Sequence, residues 1–281
     1  MAGPEARRNT AVAASILYFV TIPFLVLVII GNTNKSSSVL MDMYLFKLDV
    51  SQIIPIAVAN AGLLNSVARS LGLHDFYQVG LWNFCEGYDA EGVTFCSRPV
   101  QFYWFNPVEI LVSELLAGAK IALPAQVITV LGLLRIGSRL MYGCFMTGIV
   151  VNFLLIFASP LVIRTRWFTL LVGTFALVSA VVLNLAAIIA TVISLAAKMA
   201  ITAQDQLNLR AKLGLSMLVS MWIGAILTSI AFLLHAAMGC CCKPHRPLAT
   251  AESSRTSPEV KKSDLSLSLP SFVRRRRNAA P

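Results

Sequence analysis

This chain has few charged residues. Only 13% of its 281 residues are Asp, Glu, Lys or Arg, against about 25% in a typical soluble domain. Hydrophobic residues make up 57% of the chain, and the mean hydropathy is +0.75. This deficit argues against a wholly water-solvated globular protein and indicates that lipid replaces water around much of the molecule.

The chain also lacks the residue groups that carry catalysis or metal binding. It has three histidines, and no Ser-His-Asp set, carboxylate pair, phosphate-binding loop or metal-ligand spacing is present. Ionisable groups within apolar segments would indicate transport, but the notable polar residues there are only Asn152, Asn184 and His235. We therefore expect a protein that is neither an enzyme nor a transporter and that uses no metal or cofactor.

Four segments are long and apolar enough to cross a bilayer as helices, which takes ~20 residues for a ~30 Å hydrocarbon core. The predicted spans are residues 11–31, 141–163, 167–197 and 213–239. The first span follows Arg7 and Arg8, as in a signal peptide. It is longer than the ~7–15 apolar residues of a signal sequence, so we expect a retained helix.

Basic residues predict how these spans are oriented, because Lys and Arg collect on the cytoplasmic side of a membrane. They lie before the first span (Arg7, Arg8), between the second and third (Arg164, Arg166) and after Cys242, where nine cations face three acids. All three regions share one side if both termini are cytoplasmic. The short second outer loop is also basic and is the exception to this pattern.

The remaining segments are divided around the spans. We predict an inner stub, a large outer loop, an inner turn, an outer turn and a tail at residues 1–10, 32–140, 164–166, 198–212 and 240–281, respectively. The tail is rich in Ser, Pro and Arg and has little to bury. Since that composition cannot offset the entropy of ordering a backbone, we expect a disordered cytoplasmic tail.

The large outer loop shows signals of a folded subdomain. Residues 82–85 and 93–96 bracket a turn-forming stretch, which predicts two short strands joined by a loop, and residues 41–48 alternate weakly like a strand. Residues 53–71 and 108–135 look helical but contain Gly and Pro, so we expect peripheral helices there. The expected fold class is an all-α membrane protein: a four-helix transmembrane bundle with a small extracellular β-containing subdomain.

Two of the six cysteines, Cys85 and Cys96, lie in this outer loop. Thiols oxidise and disulfides persist outside the cell, so we predict a bridge, a constraint worth about 2–4 kcal/mol. Two unpaired thiols are the alternative. Metal binding is not expected, because His74 is the only histidine in the loop.

Aromatic residues surround the cysteine pair: Trp82, Phe84, Phe102, Tyr103, Trp104 and Phe105. They indicate either a surface for a partner, lipid headgroups or wall polysaccharide, or a small core packed on the bridge. An interfacial belt, where Trp and Tyr are favoured, is a third interpretation.

Three further groups are candidates for modification or lipid contact. The cysteines directly after the fourth span are positioned for acylation, unless they are a chance cluster of thiols. The basic end of the tail suits anionic inner-leaflet lipid, unless it is simply solvated, and one Asn-X-Ser site fits glycosylation but lies close to the first span. These residues are Cys240, Cys241 and Cys242; Arg274, Arg275, Arg276 and Arg277; and Asn34.

The outer loop also carries a recognisable pattern: Gly80-Leu81-Trp82, then Cys85 and Cys96, then the aromatic-Asn-Pro segment at residues 104–107. With four spans and a large first outer loop, it resembles the fungal Sur-seven/PalI family, distant relatives of the claudins. The resemblance covers residues 10–242. It implies that Gly80, Leu81 and Trp82 are structural partners of the disulfide.

The resemblance also implies a function. Family members are plasma-membrane proteins of stable cortical domains called eisosomes, linked to endocytosis, cell-wall integrity and sphingolipid composition. The PalI branch instead helps place an ambient-pH sensor in the membrane. We expect membrane lipids and other membrane proteins as partners, through lateral helix contacts that include homo-oligomers, and no nucleic acid. The small residues of the third span permit close helix approach: Ala186, Ala187, Ala190, Ser194, Ala196 and Ala197.

Overall fold

Helices dominate the computed structural model of the protein, which describes residues 4–51, 73–106, 125–163, 166–202 and 210–241. In this part of the chain, four helices are long and apolar enough to cross a membrane. They are α1 (Pro4–Ile30), α3 (Ala125–Ala158), α4 (Arg166–Thr202) and α5 (Leu215–Cys241). The short helix α2 (Ser38–Met41) follows α1, and a 3₁₀ helix (Ser159–Ile163) follows α3. The predicted four-helix membrane fold is confirmed.

The described residues belong to one compact unit, Met1–Pro244. The described residues end at Cys241, so the predicted disordered tail lies outside them. Residues 52–72 and 107–124 of the large loop also lie outside the described residues. Two predicted peripheral helices fall largely on those two stretches. The part of the second that is described, residues 125–135, is not peripheral: it is the first portion of α3, which runs unbroken into the span.

Small residues let the helices of the bundle approach closely. Helix α4 packs against both α3 and α5, and α5 packs against α1. A Cβ on Gly148 of α3 would lie 2.5 Å from Leu183 of α4, and one on Gly224 of α5 would lie 2.6 Å from Leu25 of α1. Four of the six small residues of the third span are buried within the chain's own bundle: Ala186, Ala187, Ala190 and Ser194. These four residues therefore permit close helix approach within one chain, and lateral contacts with other chains stay a prediction.

Two amide side chains of the spans, the buried Asn152 and the half-buried Asn184, are bonded across helices. Asn152 Nδ2 donates to the Ser179 hydroxyl of α4 at 3.0 Å, and the Thr228 hydroxyl of α5 donates to Asn152 Oδ1 at 3.3 Å. Asn184 Nδ2 likewise donates to the Ser229 hydroxyl at 2.8 Å. Because lipid offers no hydrogen bonds to a buried amide, these contacts fix the rotational setting of three helices.

Five antiparallel strands form one sheet in the order β4-β3-β2-β1-β5. They are β1 (Phe46–Asp49), β2 (Phe76–Val79), β3 (Phe84–Tyr88), β4 (Gly92–Cys96) and β5 (Arg210–Leu213). The predicted hairpin is present as β3 and β4, and the weakly predicted strand begins only at Phe46. The prediction of a plain turn at residues 198–212 is wrong, since α4 extends to Thr202 and β5 pairs with β1.

The sheet and the bundle share a single hydrophobic core. Strand β1 alternates buried and partly buried residues, so that Phe46 and Leu48 lie on the buried face. Both belong to one cluster that joins sheet residues to all four long helices and includes Leu25, Tyr77, Leu81, Met141, Leu183 and Met217. The end of the bundle that carries β1–β5 is called the sheet end below.

At the opposite end, Arg7 is buried rather than free in solvent. It is 4% exposed, and its Nη2 donates to the Val162 carbonyl and to the Thr169 hydroxyl, both at 2.6 Å. Val162 lies at the end of the 3₁₀ helix, where unpaired carbonyls collect and cations are favoured. Arg7 therefore fastens the start of α1 to the connection between α3 and α4.

Candidate functional site

The predicted disulfide is present and joins β3 to β4. Cys85 and Cys96 are directly opposite in the register of the two strands, with their Cα atoms 4.0 Å apart. Cys85 is fully buried. Ser97 and Phe84 continue the pairing beyond the bridge, since the Ser97 N–H donates to the Phe84 carbonyl at 2.8 Å. The bridge therefore staples the outermost hairpin of the sheet, and β1–β5 with this bond are called the stapled sheet below.

Gly80 occupies a turn that no larger residue fits. Its N–H donates to the Asn83 carbonyl at 2.8 Å, and a Cβ here would lie 2.5 Å from Asn83 Oδ1 and 3.0 Å from Asn32 Cβ. The turn between β2 and β3 is thus pressed against the end of α1. A glycine is required at this position because of space rather than because of an unusual backbone angle.

Leu81 and Trp82 attach this turn to the bundle. Leu81 is buried in the shared core. Trp82 is partly buried, and its ring lies 6.2 Å from that of Tyr142 on α3. Each residue of Gly80-Leu81-Trp82 thus has a structural role. The glycine permits the turn, the leucine is buried in the core, and the tryptophan packs on helix α3.

Asn32 is a structural residue of this region that the sequence interpretation missed. It is fully buried, adopts a left-handed backbone (φ 60°), and its Nδ2 donates to the Gln78 carbonyl at 3.2 Å. Asn83 Nδ2 returns a bond to the Asn32 carbonyl at 2.6 Å. The available signal was Gly31-Asn32 after the apolar run, because Asn tolerates the left-handed conformation that often ends a helix.

The aromatic set is split between a core and an exposed rim. Phe105 is buried and packs with Phe46 (5.8 Å between ring centroids) and Phe84 (6.4 Å). Phe102 is 51% exposed and contacts Tyr142 of α3 at 5.1 Å. Packing around the hairpin therefore accounts for part of the set, while the rim faces outward where α3 emerges from the core.

Positive charge gathers on the other face of the stapled sheet. Lys47 lies directly opposite Lys212 in the pairing of β1 with β5, and Lys47 Nζ sits 3.3 Å from the Phe76 ring centroid. Burial is the main cause that lowers the pKa of Lys47; Asp89 opposes that shift, and Lys212 adds to it.

The other predicted sites are placed or left open as follows. Asn34 is exposed in the loop after α1, and its Oδ1 accepts from the Ser36 N–H at 2.9 Å. Helix α5 continues through Cys241. The side chains of Cys240 and Cys241, together with Cys242 and Arg274–Arg277, lie outside what the structure describes, so acylation and tail–lipid contact remain predictions.

His235 is a buried titratable residue of the described spans with one ring nitrogen unpartnered. Its Nε2 lies 3.4 Å from the Ser159 hydroxyl, its ring stacks on Tyr18 at 5.9 Å, and its Nδ1 has no hydrogen-bond partner.

Among the described residues, no group of three His, Cys, Asp or Glu side chains is arranged to hold a metal ion. The described site is therefore a surface: the stapled sheet, closed by the disulfide and packed on the bundle of membrane-crossing helices.

Four membrane-crossing helices that carry a disulfide-stapled sheet define a multi-pass membrane protein. A family model described as the SUR7/PalI family matches residues 10–234. Because this match covers most of the chain, the protein belongs to the SUR7/PalI family.

Two curated fungal proteins are similar to parts of the chain. The SUR7 family protein pun1 of Schizosaccharomyces pombe is 32% identical over 84 residues, which are 28% of this chain and 29% of that protein. Protein PUN1 of Saccharomyces cerevisiae is 23% identical over 148 residues, which are 51% of this chain and 56% of that protein. The alignments thus span less than two thirds of either relative.

Proposed function

We propose that the protein is a non-enzymatic organiser of a cortical domain of the fungal plasma membrane, of the eisosome type, with both termini in the cytoplasm. The observation that carries the proposal is the stapled sheet itself. Its strands come from both loops at one end of the bundle, and its core is continuous with all four long helices. Such a surface cannot move independently of the spans, so a contact made by the sheet is transmitted to the membrane-embedded part.

Membership of the family supports this role over transport. The relatives above carry SUR7 and PUN1 names. We infer from the resemblance a link to endocytosis and to cell-wall or sphingolipid homeostasis. In the described spans the amides of Asn152 and Asn184 bond to neighbouring helices. The partners in this role are lipids and other membrane proteins, including further copies of the chain.

Localisation tests the proposal. A fluorescent protein fused after residue 281 should mark stable cortical patches, and deletion of the gene should reduce the number or lifetime of those patches. Cys85→Ser should lose patch localisation, whereas Cys144→Ser, which removes a thiol outside the sheet, should keep it. The alternative role, a PalI-like accessory of ambient-pH signalling, predicts a diffuse membrane signal and an alkaline growth defect; that outcome would exclude the organiser.

A further inference from the structure

Two arginines lie where α3 enters its uncharged region. Arg135 and Arg139 are both exposed and about one turn apart. Arg139 is the last charged residue before residues 140–163, which contain none. The helical residues 140–158 extend ~28 Å at ~1.5 Å per residue, close to the ~30 Å hydrocarbon core. Arg139 is therefore at the membrane–water boundary on the sheet end, and Arg135 is one turn further out.

The charges of this arginine pair are not compensated within the described part of the chain. Neither Arg135 nor Arg139 forms an ion pair there with a carboxylate. Like charges four residues apart on a helix repel each other and destabilise it. An anion held between the two guanidinium groups removes that repulsion, so the pair is electrostatically complementary to a ligand that carries negative charge.

The surroundings of the pair are apolar and aromatic. The Arg135 Cζ lies 5.6 Å from the Trp104 ring centroid. Exposed Ile136 and Leu140 flank the arginines on the same helix. On the other side, a narrow cleft between α3 and the segment at residues 103–105 is lined by Trp104, Leu134, Ser138 and Met141. Two arginines beside an apolar surface can bind the charged headgroup and the hydrocarbon part of one molecule. This arrangement therefore suits an amphiphile rather than a soluble anion.

We propose that Arg135, Arg139 and Trp104 bind the phosphate-bearing headgroup of an anionic lipid in the leaflet at the sheet end. Guanidinium groups bind phosphate oxygens in a bidentate manner, and Trp is favoured at the depth of headgroups. The exposed side chains of Ile136 and Leu140 contact the first part of the acyl chains. This site is distinct from the predicted contact of the tail arginines, and it does not depend on the cortical role proposed above.

Lipid binding by the purified full-length chain tests the site. The protein is placed in phosphatidylcholine nanodiscs that contain a small fraction of phosphatidylinositol, and the phosphatidylinositol retained is measured by native mass spectrometry. Arg135→Gln and Arg139→Gln should each weaken retention about fivefold, and the double variant about 25-fold, as expected for loss of one basic contact each. Arg98→Gln removes an exposed arginine elsewhere at the sheet end and is the matched control for one surface charge. It should weaken retention less than either single variant of the pair, because it removes no contact with the headgroup.

Further variants separate the site from misfolding and from the tail. Arg139→Lys keeps the charge and loses the bidentate geometry, so it should give an intermediate loss with the disulfide intact on a non-reducing gel. A variant with Gln at residues 274–277 should keep the sensitivity to Arg135 and Arg139. Equal losses in Arg98→Gln and in the pair, or retention unchanged in the double variant, would overturn the proposal. Displacement by inorganic phosphate as effective as by lipid would overturn the assignment to a membrane lipid.

Discussion

The Cys85–Cys96 bond is the residue-scale feature on which the stapled sheet depends most directly. It joins the edge strand β4 to β3, which without it would be held by a few backbone hydrogen bonds. We expect Cys85→Ser to lower the free energy of unfolding by about 2–4 kcal/mol and to impair delivery to the cell surface. The measurement is the thermal midpoint in detergent together with surface labelling.

Cys144→Ser is the control for the loss of a thiol, because Cys144 is free and lies on α3 outside the sheet. Its midpoint should fall much less than that of Cys85→Ser, because Cys144 is only partly buried beside the shared core. Two results together would contradict the role of the bond. The unmodified chain would show the same gel mobility under reducing and non-reducing conditions, and Cys85→Ser would traffic normally.

Gly80 tests whether close packing against the end of α1 holds the turn. A methyl group on Gly80 would lie 2.5 Å from Asn83 Oδ1, so either Asn83 or Asn32 would have to shift and their hydrogen bonds would weaken. We expect Gly80→Ala to destabilise the protein by about 1–3 kcal/mol, measured by thermal or denaturant unfolding.

Gly173→Ala is the matched control for this substitution, because a Cβ there meets nothing within 4 Å. An alanine in a helix interior is favoured over glycine by ~0.5–1 kcal/mol, so this variant should be neutral or slightly more stable. Equal destabilisation by both substitutions would show that space at Gly80 is not the cause.

At the scale of elements, strand β5 ties the second loop to the first. Gly214 lies between β5 and α5, and its N–H donates to the Leu45 carbonyl at 3.0 Å. A Cβ on Gly214 would collide with the Tyr44 carbonyl oxygen. We expect Gly214→Ala to displace β5 from β1 and to cost about 2–4 kcal/mol.

Amide hydrogen exchange measures this displacement directly. Peptides covering β1 should exchange faster in Gly214→Ala, whereas peptides from α1 near the opposite end should change little. Gly132→Ala, where a Cβ also meets nothing within 4 Å, should leave exchange in β1 as it is. Unchanged β1 protection in Gly214→Ala would mean that β5 does not hold the sheet.

The elements that local patterns specify were predictable, and those set by distant contacts were not. Four apolar runs and the turn residues between β3 and β4 carry their own signals. Strand β5, with its charged residues Arg210 and Lys212, reads as a loop because its pairing partner β1 is far away in sequence. The length of α3 was missed because residues 108–135 contain Gly and Pro, which argued against a helix that continues into the span.

The same division holds for the site. The disulfide followed from the predicted compartment and from the number of cysteines in the loop, which are properties of sequence and topology. The roles of Asn32 and Arg7 depend on partners in other elements, Gln78 and Asn83 for the first and Val162 for the second. These hydrogen-bond partners are far away in sequence and leave no local pattern. Arg7 was therefore interpreted only as a basic residue that indicates the orientation of the first span.

At the scale of the whole molecule, the shared core predicts that the sheet and the bundle unfold together. Leu81, which lies in the turn between β2 and β3, belongs to the same buried cluster as Met141 on α3 and Leu183 on α4. Truncation of a buried leucine at this junction removes packing for both parts and costs about 2–5 kcal/mol. We therefore expect Leu81→Ala to lower the midpoints of sheet and helix unfolding by the same amount.

Two probes distinguish joint from separate unfolding. Hydrogen exchange of peptides from β2 and β3 reports on the sheet, and circular dichroism at helical wavelengths reports on the bundle. The two transitions should coincide in the unmodified protein and in Leu81→Ala, because coincident transitions are the mark of a cooperative unit. Leu170→Ala is the control: Leu170 on α4 is 65% exposed and outside the cluster, so its loss should leave both midpoints nearly unchanged. A sheet transition well below that of the helices would show that the stapled sheet moves independently, and it would remove the physical basis for transmitting surface contacts to the spans.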